Sequence, residues 1–129
     1  MKNNVSSIRV NKTTFNVAQA PASEQKRLLS LIGAKVALSS AMSQVEKIDH
    51  DLLLGALLTL KESDLDEIAD IVLYKTVKNN AKEVITIGDF QNDVSSYYIL
   101  IAKAIEVNLK DFFTYLDSVN KKARETNQK

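Results

Sequence analysis

Apolar and polar residues alternate in "SIRVNKTTFNV", near the start of the chain. A period of two predicts strands, here Ser7–Val10 and Thr14–Val17 around an Asn-Lys-Thr turn. A lone hairpin is marginal in water, so this one must pack on something or pair with another chain. "AQAPAS" breaks the pattern at Pro21. Ser23 suits a helix cap, with Glu24 in the first turn, where the helix dipole favours an anion. The spacing of Leu28, Leu29 and Ile32 in "EQKRLLSLIG" predicts a short helix ended by Gly33. "AKVALSSAMSQV" is less regular: Val36, Leu38 and Ala41 suit a further helix, and Ser39-Ser40 weakens it.

Asp49 is placed to cap "HDLLLGALLTLKES". Leucine is so dense between Leu52 and Leu60 that more than one helical face is apolar, which predicts burial on several sides or an interface. Ser63 opens a further helix, with Asp64, Asp66 and Glu67 in its first turn. Leu65, Ile68, Ala69, Ile71, Val72 and Val77 form its expected buried stripe. "KNNAKE" reads as a loop and "VITIGD" as a short strand or an extended connector.

Asp89 is expected to cap the longest periodic run, with apolar positions at Val94, Tyr98, Ile101, Ile105, Leu109, Phe112, Leu116 and Val119. Steps alternating between three and four describe a helical stripe. The repeated step of four at Ile105–Leu109 shifts its phase, as a stutter does. Two helices meeting at a bend near Asn108 account for that shift better than one continuous helix. The closing "KKARETNQK" is expected to fray. The expected fold is mainly α, a compact multi-helix domain with a short N-terminal β-hairpin. It forms a single domain over 1–129: a hairpin or extended arm over 1–20, a helical body over 23–120 and a frayed polar tail over 121–129.

Composition changes this picture little. The 129 residues suit one core, with 45% hydrophobic and 26% charged residues. Only three Gly and one Pro leave little turn chemistry for a many-stranded fold. With no cysteine, disulfides, thiolate metal sites and a thiol nucleophile drop out together, and a reducing compartment is expected. "MKNNVSSIRV" has no signal-peptide core, and no stretch is apolar enough to span a bilayer. The cytoplasm is the expected location, where the Asn11-Lys12-Thr13 sequon has no meaning.

Charge is more telling than composition. Net charge is +1, yet residues 1–45 hold six Lys/Arg against Glu24 alone, and residues 46–70 hold eight Asp/Glu against Lys47 and Lys61. The last twelve residues carry Lys121, Lys122, Arg124 and Lys129 against Glu125. Such a basic end can pair with the acidic middle of another copy, or it can simply be solvated.

Candidate chemistry is sparse. His50, the single histidine, lies between Asp49 and Asp51, and adjacent residues on a chain do not converge on one ion. Asp64, Asp66, Glu67 and Asp70 lack the central glycine of a calcium loop and have helical periodicity instead. Gly33, Gly55 and Gly88 are too far apart for a phosphate cradle, and no serine sits in a nucleophile elbow. No cofactor is implied, and nothing asks for an enzyme. A small helical DNA-binding or regulatory protein is the alternative, although the best helix pair is acidic where a reading helix should be basic. The Leu-rich helix, the aromatic cluster Phe112, Phe113 and Tyr115, and the segregated charge favour a protein-interaction role.

The opening "IRVNKTTFNVAQAP", the "LLSLIG" helix and the terminal "VNLKDFFTYLDSV" resemble the tail assembly chaperones of long-tailed, lambda-like bacteriophages. The likeness of arrangement spans nearly the whole chain. It implies a mostly helical, non-enzymatic protein that oligomerises, binds the tape measure protein and keeps it soluble while tail-tube subunits assemble. It also implies a longer product of programmed frameshifting, extended beyond "KKARETNQK", through which the tail-tube protein would become a partner. Nucleic acid and membrane are not expected partners. Leu53, Leu57 and Leu60 are the candidates for self-association. Phe112 is expected to continue the core seam between Leu109 and Leu116. Phe113 and Tyr115 lie off that seam, so one of them is expected to face a partner or another subunit.

Overall fold

The computed structural model describes residues 5–43, 48–79 and 81–127. The hairpin forms as expected: strands β1 (Val5–Val10) and β2 (Thr13–Ala18) pair antiparallel, with Val5 opposite Ala18 and Val10 opposite Thr13. Asn11 takes the left-handed conformation at the turn (φ 55°), which Asn tolerates better than most residues. Alternation puts Ile8, Val10, Phe15 and Val17 on the buried face, while Ser7 and Asn16 share a hydrogen bond on the outer one. A third strand, β3 (Val77–Lys78), pairs antiparallel with β2. Val77, expected on the buried stripe of the preceding helix, is thereby corrected to a strand residue, and Lys78 falls where a loop was expected; two residues are too few to show a period.

Helix α1 (Ala22–Ser43) is continuous across the stop expected at Gly33. Its buried row is Leu28, Ile32, Val36 and Ser40, one residue per turn on a single face. A Cβ at Gly33 would lie 2.9 Å from Leu29 Cδ1, so the glycine accommodates a leucine one turn back. Nor does the helix begin at Ser23: the Glu24 and Gln25 N–H groups both donate to the Pro21 carbonyl at 2.9 Å.

Helix α2 (His50–Leu57) is capped by Asp49, whose carboxylate accepts from the Asp51 and Leu52 N–H groups. Helix α3 (Glu62–Val72) buries Leu65, Ile68, Ala69, Ile71 and Val72 as the pattern predicts. It starts without a side-chain cap, one residue before the expected Ser63. Asp89 caps no long helix. It sits in a 3₁₀ turn, Ile87–Phe90, where its carboxylate accepts from the Thr86 N–H in a capping box.

Helix α4 (Val94–Asn127) is the central element. The hairpin lies along its N-terminal half, tied at three points. Asn11 Nδ2 donates to Ser96 Oγ (2.7 Å), Lys103 Nζ to the Arg9 carbonyl (2.9 Å), and the Ala20 N–H to Asn108 Oδ1 (2.8 Å). The expected bend is real: Leu109 leaves helical geometry (φ −117°, ψ 21°). Asn108 is not a cap there. It is buried, and its Nδ2 donates to the Ala104 carbonyl at 2.8 Å.

The bend also changes which aromatic is inside. Ile101, Ile105, Leu109 and Phe113 form one buried row of constant step four, beside Leu100, Ala104 and Asn108, rather than the alternating seam. Phe113 is therefore core, 2% exposed, and the expectation that Phe112 fills this place is corrected. Phe112 is half-buried against Phe113 and Tyr115. Asp117 follows on the same row, and its carboxylate accepts the Ile48 N–H at 3.2 Å. The helix continues to Asn127, through most of the segment expected to fray; residues 128 and 129 lie outside the described ones.

Candidate functional site

The Leu-rich helix does not present the expected contact surface. Leu53 and Leu57 are 0% and 1% exposed, enclosed by the core of a single chain. Self-association through these two residues is therefore corrected: a side chain already covered by its own domain has no apolar area left to bury. Their neighbour Leu58 points outward instead, 67% exposed.

Leu58 belongs to an open groove of about 1130 Å³. One wall is the end of α2 and the connector behind it, with Leu57, Leu58 and Leu60. The α3 side supplies Leu65, Ala69, Leu73 and Tyr74, the extended segment before the 3₁₀ turn supplies Val84 and Ile85, and the turn itself supplies Ile87. The first turns of α4 close it with Val94, Tyr97 and Tyr98. Leu58, Tyr74, Val84, Ile87 and Val94 are all exposed large apolar residues, and they converge here from four separate segments. Isolated exposed leucines are ordinary on a protein surface, whereas a contiguous apolar patch marks a docking site.

The groove has an electrostatic sign. Glu62, Asp66 and Asp70 line it from α3 and sit on exposed positions of that helix. Tyr97 senses them. Burial pushes its hydroxyl above the ordinary tyrosine range, and the charges of Asp66 and Asp70 add to the shift. Phe90 holds the Tyr97 ring in place, with ring centroids 5.3 Å apart. Another α3 carboxylate, Glu67, faces away from the groove in an ion pair with Arg27 of α1 at 3.3 Å. Both partners of that pair are largely exposed, so it adds little stability.

Of the residues singled out in the sequence, Leu57 and Leu60 line the groove. Leu53 and Phe113 are core, and Tyr115 is 65% exposed on the far part of α4. Sequence reasoning missed Leu58, Tyr74, Val84, Ile87 and Val94. The one available signal was the run "VITIGD", too apolar for a solvated connector. His50 Nε2 lies 3.6 Å from Asp51 Oδ1, and among the described residues no group of three or more His, Cys, Asp or Glu could hold a metal ion. No described helix is long and apolar enough to cross a membrane.

Fold and groove together define a small helical protein with an open, acid-rimmed apolar surface. The family model described as phage tail assembly chaperone protein, TAC, matches residues 11–121, and the chain belongs to that family. No curated protein and no solved structure matches it.

Proposed function

We propose that this chaperone binds the tape measure protein of its phage and keeps it soluble in the host cytoplasm until tail-tube subunits cover it. The observation that carries this reading is the open groove, which gathers five exposed large apolar side chains in one place. A long helical client with an apolar stripe is prone to aggregate, and a groove of this kind covers such a stripe through anchors at i, i+3 or i+4, and i+7. Several copies acting together hold a long client through effective concentration, and each single contact stays weak enough to release when tube subunits arrive.

Such holding needs no catalysis and no cofactor. The copies associate with one another, and a longer frameshifted form reaches the tail-tube protein. The carboxylates on α3 disfavour the alternative of a DNA-binding regulator, because they repel a phosphate backbone.

Co-expression with the tape measure protein, followed by affinity purification and light scattering, tests the reading. The expected result is a soluble complex with several copies of this chain per client. In Leu58→Asp/Ile87→Asp the soluble yield of the client should fall about tenfold or more, since a charge buried against an apolar stripe is strongly disfavoured. If the client aggregates equally with and without the parent chain, the proposal is wrong.

A further inference from the structure

Every charged residue that lines the groove is acidic, and all of them stand on α3. Glu62, Asp66 and Asp70 follow at steps of four, which makes them one row on that helix. Beside it runs the buried row Leu65, Ala69 and Leu73, part of the apolar floor. At 1.5 Å per residue each row is about 12 Å long, or about two helical turns. The walls that carry Leu58, Val84, Ile87 and Val94 add no charge, and neither Lys nor Arg lines the groove. Glu67 on the same helix is paired with Arg27 at 3.3 Å. Glu62, Asp66 and Asp70 form no ion pair among the described residues, and all three are exposed. Like charges at steps of four repel one another, so a cation laid along the row relieves a strain that the folded chain otherwise carries. Beyond the effect of burial, Asp66 and Asp70 raise the Tyr97 hydroxyl, so their field reaches into the groove.

On the reading that the groove holds the client, we infer that it selects one class of client segment: an amphipathic helix whose apolar stripe is flanked on one side by Lys or Arg at steps of three or four. The stripe covers the floor, and the flanking cations lie along the carboxylate row of α3. Exposed charge pairs add little affinity one at a time, but together they decide which segment docks and which way round it lies. The row stands on one side only, so the cationic flank meets it in one direction of the client helix and not in the reverse. A segment flanked by Glu or Asp sets like charges against α3 and is disfavoured. The chaperone then engages a long client at its basic amphipathic stretches and leaves the acidic ones bare.

The test uses the full chain and a set of fluorescein-labelled synthetic peptides. Each has the same leucine stripe at i, i+4, i+7 and i+11, and the peptides differ only in carrying Lys, Gln or Glu along one flank. Fluorescence anisotropy at 0.15 M sodium chloride should show the Lys peptide binding about tenfold more tightly than the Glu peptide, with the Gln peptide between them. Glu62→Lys/Asp66→Lys/Asp70→Lys should invert that order. Glu62→Gln/Asp66→Asn/Asp70→Asn should level it, and serves if the reversed variant loses the parent circular dichroism. At 1 M sodium chloride the parent's preference should shrink to about twofold or less while the peptides stay bound. Leu58→Ser/Ile87→Ser should weaken all of them, which places them in the groove. Equal affinity of the parent for the three flanks, a Lys preference that survives neutralising the row, or no binding of any peptide overturns the inference. The proposed function is decided separately, by whether the parent keeps the tape measure protein soluble in co-expression. A client that is kept soluble while the peptides bind without regard to charge leaves the groove as an unselective apolar site.

Discussion

Asn108 joins two parts of the chain that are 88 residues apart. Its amide spans the core side of α4: Oδ1 accepts the Ala20 N–H where the hairpin leads into α1, and Nδ2 donates to Ala104 one turn back. At 1% exposure no water can replace either bond. Asn108→Ala leaves the Ala20 donor and the Asn108 cavity uncompensated, and should cost about 2 kcal/mol in urea unfolding. The adjoining aromatics separate in the same assay. Phe113→Ser removes a ring that is 2% exposed and should cost about 3–5 kcal/mol. Tyr115→Ser, at 65% exposure, should stay within about 0.5 kcal/mol of the parent. Equal costs for the two would mean that the bend at Leu109 does not set the phase of the distal helix. Tyr97 gives a pH signature. Its hydroxyl is raised, so the folded state resists its ionisation; stability is full below the ordinary tyrosine pKa and declines as pH rises through the folded value. Asp70→Asn should lower that titration, followed by ultraviolet absorbance, without returning it to normal, because burial is the larger cause.

Among the elements, the helices differ in how far their glycines are dispensable. Gly55 lies inside α2 with no atom within 4 Å of an added Cβ, so Gly55→Ala should gain nearly the full helix propensity, about 1 kcal/mol. In a scanning calorimeter this appears as a rise of a few degrees in Tm. Gly33→Ala should gain less, because its Cβ presses on Leu29. That crowding also explains why α1 was hard to read. Glycine after "LLSLI" looks like a helix end, and only the packed structure reveals a glycine retained for a neighbouring leucine. The hairpin and α3 were legible because each has one buried face and one solvated face, so their periods appear in the residues themselves. Phe113 was illegible because the distal seam depends on a backbone distortion at Leu109 rather than on spacing. The groove was illegible for a different reason. Its exposed residues Leu58, Tyr74, Val84, Ile87 and Val94 come from separate segments, and no period within one element records a surface that several elements share.

At the scale of the whole molecule, a net charge of +1 conceals the separation of charge. Acidic residues gather on α3 beside the groove, and basic ones gather at the distal end of α4, on opposite sides of the bend. Salt separates what the carboxylate rim contributes at the groove from what its apolar floor contributes. Raising sodium chloride from 0.15 M to 1 M shortens the screening length from about 8 Å to about 3 Å and leaves apolar burial intact or slightly stronger. If the proposed client is held by the exposed side chains Leu58, Tyr74, Val84, Ile87 and Val94, the complex purified from co-expression should persist through a wash at 1 M. Release of the client at 1 M would mean instead that the carboxylates Glu62, Asp66 and Asp70 carry the contact.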